Sequence, residues 1–296
     1  MDRWRAAMVA RNQNGIRRRI VSSAALLALL SLTWPGQPAV AIASPVGNNS
    51  RAARTEATRA IPFGELDADA QRKVNSVLNR TTIYRRLPTQ LVECDARYFI
   101  FLVRHPEVIV NIWRKMNATE MVLQRKGPES FYTSDNAGTI SNIEFLYGDH
   151  KTHILYCEGA YDGSMTARTI RANCLIILRS EYVRHGNGHQ YVSNKMDIFL
   201  SVKNFGVDLV ARAFQNSIGK TTDQNFVETA NFVTKLGRTT ERNGPGVQRL
   251  ASQLEELDRE TRKKFFDMAG SVYDKATRRN QASADPARVT RARQTQ

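Results

Sequence analysis

Residues 169–202, TIRANCLIILRSEYVRHGNGHQYVSNKMDIFLSV, decide the fold. Two runs rich in β-branched and aromatic residues flank Gly186-Asn187-Gly188. Asn187-Gly188 is a strong hairpin signal, because both residues tolerate the positive φ of a tight two-residue turn. The same pattern extends upstream through MVLQR, SFYTSD, GTISNIEFLYG and KTHILYCEGAY. Gly127-Pro128, Asn136-Ala137-Gly138, Gly148-Asp149 and Asp162-Gly163 punctuate these runs. Six consecutive strands with short turns predict an antiparallel meander over Met121 to Val202.

A two-residue turn at Asn187-Gly188 pairs Gly186 with His189. Ile177 then meets Ile198, Leu175 meets Leu200 and Val183 meets Val192, with Met196 on the same face. Cys174, Ile176, Leu178 and Phe199 take the other face. The first set is the more consistently apolar and is assigned to the core or a cavity. For the Asp162-Gly163 turn, one register sets Cys157 beside Cys174 on the opposite face. Such a pair is either a strained disulfide or two buried thiols. The same register places Ile154, Tyr156 and Glu158 inside. Glu158 is the polar candidate for a ligand head group, since a buried carboxylate needs a partner; a strand end meeting water or a basic neighbour is the alternative. Leu155 joins Ile176, Leu178 and Phe199 on a face too apolar to stay wet. The helices after Pro245, or a second copy, are expected to cover it.

Helical spacing surrounds the meander. Asp67 is placed to cap a helix carrying Ala70, Val74, Val77 and Leu78. Thr81 to Val92 is expected to hold one irregular strand around Pro88. Asp95 caps ARYFIFLVRHP, and Pro106 opens a second short helix, PEVIVNIWRKM. After the meander, Val207, Val210, Ala211, Phe214 and Ile218 form a stripe. Thr221 with Gln224 resembles a capping box. Beyond Gly244-Pro245-Gly246 come Val247, Leu250, Leu254, Leu257, Phe265 and Phe266.

The element order, strand, two helices, six strands and a long helix, resembles the START-related helix-grip superfamily of polyketide cyclases and lipid carriers. It is also similar to uncharacterised exported bacterial proteins. The resemblance covers residues 81–238 and rests on element order rather than on a residue signature. It implies an α+β fold in which a curved meander wraps a long C-terminal helix. It also implies a cavity for an apolar ligand between the two. Tyr156, Glu158, Leu175, Ile177, Met196, Ile198, Leu200 and Phe214 are the expected ligand-binding residues.

The N-terminus bounds the compartment. Arg3, Arg5, Arg11, Arg17, Arg18 and Arg19 precede the apolar run Ile20 to Trp34, and two A-x-A sites end at Ala43. These are the three parts of a secretory signal. The expected divisions are a signal peptide over 1–43, a flexible leader over 44–65 and a helix over 66–80. A helix-grip domain over 81–240, appended amphipathic helices over 244–276 and a basic disordered tail over 277–296 follow. The formal charge of +15 suggests an anionic neighbour such as phospholipid or cell-wall polymer, or simply a basic solvated surface. Export argues against nucleic acid as the partner.

Catalytic motifs are missing from the string. It contains no G-x-S-x-G, H-E-x-x-H, P-loop or G-x-G-x-x-G. His105, His150, His153, His185 and His189 lie near turns and are expected to be solvated rather than metal-bound. No cofactor and no metal are expected. The leading expectation is an exported, non-enzymatic carrier of a lipid or isoprenoid. An envelope interaction protein with a solid core, and a cyclase- or hydrolase-like enzyme, are the alternatives.

Overall fold

The computed structural model describes residues 47–163, 169–184, 189–203 and 219–284. The proposed signal segment, Asn187-Gly188 and Phe214 lie outside them. Two helices come first, α1 (Arg51–Arg59) and α2 (Ala68–Leu78). Two short strands, β1 (Ile83–Arg86) and β2 (Gln90–Glu93), precede α3 (Ala96–Arg104) and α4 (Pro106–Lys115). The meander is β3 (Val122–Arg125), β4 (Ser130–Ser134), β5 (Thr139–Gly148), β6 (Thr152–Tyr161), β7 (Ile170–Arg184) and β8 (Gln190–Lys203). The helices α5 (Gly219–Arg242), α6 (Gly244–Ser252) and α7 (Arg259–Ala284) close the described chain.

All eight strands form one antiparallel sheet in the order β1-β8-β7-β6-β5-β4-β3, with β2 also paired to β8. This is the expected α+β arrangement, a meander with helices that include the appended C-terminal pair. Local chemistry sets the helix starts. Asp67 Oδ1 accepts the Ala70 amide at 2.8 Å, and Asp95 Oδ1 accepts those of Arg97 and Tyr98. Pro106 takes the first turn of α4, where its missing N–H costs nothing. Thr221, by contrast, lies within the described helix α5.

The β7–β8 register differs from the expected one by one residue. Ile177 faces Asp197, Leu175 faces Phe199, Ile176 faces Ile198 and Cys174 faces Leu200. Arg184 pairs with Gln190, not in the register that the Gly186–His189 pairing of a two-residue turn requires. With a period of two, a one-residue slip moves all of β8 to the other face relative to β7. The β6–β7 register is the one expected, with Cys157 opposite Cys174. Both thiols, like that of Cys94, are buried and free.

Each sheet face is covered. Leu175, Ile177, Phe199, Ile154 and Tyr84 pack under α1 and α2. Cys157, Cys174, Ile176, Ile198 and Leu200 pack under α3, α4 and α5. Residues 47–65, expected as a flexible leader, instead form α1 and a 3₁₀ turn at Phe63–Glu65. Only Ala53 and Ala57 of α1 are buried, so no apolar stripe announces the helix; its alanines, arginines and glutamate favour the helical backbone, and Ser50 caps its start. The appended helices do not reach the sheet as expected. They lie over α3, α4 and α5, where Leu254, Leu257, Phe265 and Val272 complete the core. The last helix also runs beyond residue 276, to Ala284.

Phe265 is fully buried and stacks on Tyr98 and Phe101 at centroid distances of 6.3 and 6.1 Å. Phe265→Ala is expected to cost about 3–5 kcal/mol, read as a lowered midpoint in urea unfolding.

Candidate functional site

An apolar cavity of about 150 Å³ lies between the inner sheet face and the helices. Leu155, Ile176, Leu178 and Met196 make its floor, and Phe226, Ala230 and Val233 of α5 its roof. Phe99, Leu102, Ile109 and Trp113 wall it from α3 and α4. Asn194 and Thr229 are the polar side chains of the lining.

Fixed contacts hold these walls apart. The Glu107 carboxylate, only 2 % exposed, accepts from Arg125 Nε at 2.8 Å and locks the α3–α4 corner onto β3. Arg125 also donates to the Arg104 carbonyl at 2.7 Å. Asp95 pairs with Lys275 of α7, tying α3 to the last helix. Trp113 meets Phe232 edge-on at 5.3 Å. On the far side, Arg85 forms two bonds to Asp223, which also accepts the Gly47 amide at 2.8 Å. That contact anchors the described start of α5 to β1.

The residues expected to bind ligand divide between the two faces. Met196 lines the cavity. Ile198 and Leu200 share its face but pack in the adjoining core. Leu175 and Ile177 are fully buried on the opposite face, under α1 and α2. Tyr156 and Glu158 lie on that face too, since they alternate with Leu155 and Cys157. Tyr156 accepts a 2.7 Å bond from Asn173, and the largely exposed Glu158 meets Lys203 at 3.3 Å. Glu158 thus has the basic neighbour that the alternative reading expected.

Asp197, for which the sequence suggests no partner, is fully buried on the outer face. It accepts from Arg86 at 2.8 Å, Arg179 at 2.6 Å and Tyr84 at 2.6 Å. Glu56 of α1 bridges Arg86, Arg179 and Lys195 from outside. Hydrogen bonding to Arg86 holds the Glu56 carboxyl down at about 2, against desolvation. This network joins α1 to the sheet and leaves Arg179 Nε as its one buried atom without a hydrogen-bond partner among the described residues.

Sequence reading missed the helix walls and His153. The walls were legible as the run Val108-Ile109-Val110 with Ile112-Trp113, had it been assigned to the cavity. His153, expected to be solvated, is only 1 % exposed. Burial, and next the charge of Arg104, pull its pKa from 6.5 down to about 4. Among the described residues no cluster of three or more His, Cys, Asp or Glu could hold a metal. No described helix is long and apolar enough to cross a membrane.

No protein-family model matches this chain, and no curated protein matches it. Among solved structures, an uncharacterised protein from Rhizobium leguminosarum aligns at 14% identity over 48% of this chain and 93% of its own, with a TM-score of 0.28. At that level the likeness carries no argument about function.

A histidine kept neutral by the fold binds fewer protons than the unfolded chain between pH 4 and 6.5. His153 therefore makes stability fall as pH drops through that window. Denaturant melts across it are expected to show a shallower fall in His153→Gln than in the parent.

Proposed function

We propose that this chain is a non-enzymatic binding protein that carries an apolar small molecule, in the manner of START-related helix-grip proteins. The observation that supports this is the cavity itself. Its walls include Phe99, Trp113, Phe145 and Phe226, yet these large rings leave about 150 Å³ between them. Protein interiors normally close such a space, because each unfilled volume forfeits packing energy.

The volume narrows the ligand class. A cavity of about 150 Å³ takes a guest about the size of benzene. A single ring or a short branched segment, such as the terminus of an isoprenoid, fits better than a whole acyl chain. The lining's polar groups, Asn194 and Thr229, orient a guest but supply no acid–base pair. An enzyme reading therefore has no support from the lining. The core position of Leu254, Leu257 and Phe265 removes most of the apolar surface on which an envelope interaction role would rely. The reading also places the carrier outside the cytoplasm, since residues 1–43 have the composition of a secretory signal. Its excess of basic residues suits contact with anionic phospholipid or cell-wall polymer.

Native mass spectrometry of protein from its own host, before and after solvent extraction, tests the reading. A copurifying apolar mass that extraction removes is the expected result. Ligand-free protein that also takes up nothing from a host lipid extract would overturn it. Ala230→Phe, which fills the roof, is expected to abolish uptake and leave the fold intact or stabilised.

A further inference from the structure

Cys157 on β6 and Cys174 on β7 stand directly opposite each other in the antiparallel register. Ile143 flanks the pair from β5 and Leu200 from β8, so the row across four strands runs Ile143, Cys157, Cys174, Leu200. Both cysteines are free thiols, at 2 % and 0 % exposure. Their side chains are in hydrogen-bonding contact, and that contact, with burial, lifts the Cys174 thiol well above its usual pKa. The next pair along the same face, Leu155 and Ile176, belongs to the cavity floor.

The backbone decides how close the pair stands. The Ser180 amide donates to the Lys151 carbonyl at 2.7 Å, and these two residues continue the register that sets Cys157 against Cys174. A bond between directly opposed residues marks every second pair as hydrogen-bonded, and the cysteines fall in that set. Cα atoms in such a pair lie about 5.5 Å apart, within the range of roughly 4.4–6.8 Å that a disulfide spans. Cys94 is no competitor. Its amide donates to the Gln190 carbonyl, ten residues along β8 from Leu200, or roughly 30 Å at about 3.3 Å per residue.

We infer that Cys157 and Cys174 are a disulfide-forming pair: the structure holds the reduced form, and the oxidised chain carries a bond from β6 to β7 beside the cavity floor. The oxidant is a low-molecular-weight disulfide such as oxidised glutathione. A thiolate of the pair attacks one sulfur of the donor and releases the other half as a thiol. The second cysteine then displaces the remaining half, so the pair loses two protons and two electrons and the donor leaves as two thiols. Burial leaves little thiolate once the core has closed, so the exchange belongs to the folding chain, before the helices cover the pair. The export proposed above leads to a compartment where such bonds persist, but the pairing rests on the register and not on that reading.

The test is to unfold the full chain in reductant and refold it in a mixture of reduced and oxidised glutathione. The product is then denatured and alkylated with iodoacetamide, and its intact mass is read with and without prior reduction. The chain has three cysteines. One alkyl group without reduction, on Cys94, and three after reduction are expected. Cys94→Ala is expected to take none without reduction and two after it, while Cys157→Ser and Cys174→Ser each take two either way. Three alkyl groups without reduction, on a chain whose circular dichroism shows the fold regained, overturn the pairing. Should refolding fail, the same count is made on protein purified from its own host without reductant, and there too three groups without reduction overturn it.

Discussion

Asp197 is the constraint on which the sheet depends. It sits in the most apolar part of β8, between Met196 and Ile198, and is fully buried. A carboxylate there is tolerable only beside Arg86, Arg179 and Tyr84, all on the outer face. Turned inward by a one-residue slip, it would face the apolar floor with no cation in reach. The pair therefore selects the register of β8 more strongly than the apolar side chains do, since either face of that strand is apolar enough to be buried. The cost of removing one partner of such a buried pair, about 3–5 kcal/mol, measures the strength of the selection.

Once β8 is set, the cavity follows. Met196 turns toward the helices, and Phe199 turns away and packs on Tyr84 at 4.9 Å beneath the N-terminal helices. The inner face then carries two chemistries along its length, thiols and aliphatic groups at one end and hydroxyl, amide and imidazole groups at the other. The helices stand off this face because the α3–α4 corner is held by Glu107 and Arg125, and the start of α5 by Arg85 and Asp223. An open volume survives between anchored walls, where freely sliding helices would collapse it.

Much of the architecture was legible. All six meander runs are strands, the Asp67 and Asp95 caps are where the side chains predict, and Pro106 divides two short helices. The Cys157–Cys174 pairing is the one that one register of the Asp162-Gly163 turn predicts. The site was less legible, for two reasons. The register of β7 with β8 is one residue off the expected one, and alternation then parts Leu175, Ile177, Tyr156 and Glu158 from Met196, Ile198 and Leu200. The partners of Asp197 come from β1, β7 and, through Glu56, from a helix with no apolar stripe; nothing local in the string announces them. His153 had no reading as a buried group because its isolation depends on Arg104 and Phe145, residues close only in the fold.

The strap formed by α7 has a consequence for biogenesis. Phe265, Ala269 and Val272 seal a core whose other side is built from Tyr98, Phe101 and Leu102, and Lys275 reaches back to the carboxylate that caps α3. Apart from an isolated bridge between Asn48 and Arg86, the first strands likewise have no partner until β8 exists. A chain emerging from its N-terminus can form short helices and then a growing meander, but it cannot close its interior until roughly its last tenth has appeared. Such late, non-local closure makes for slow folding with apolar surface exposed meanwhile.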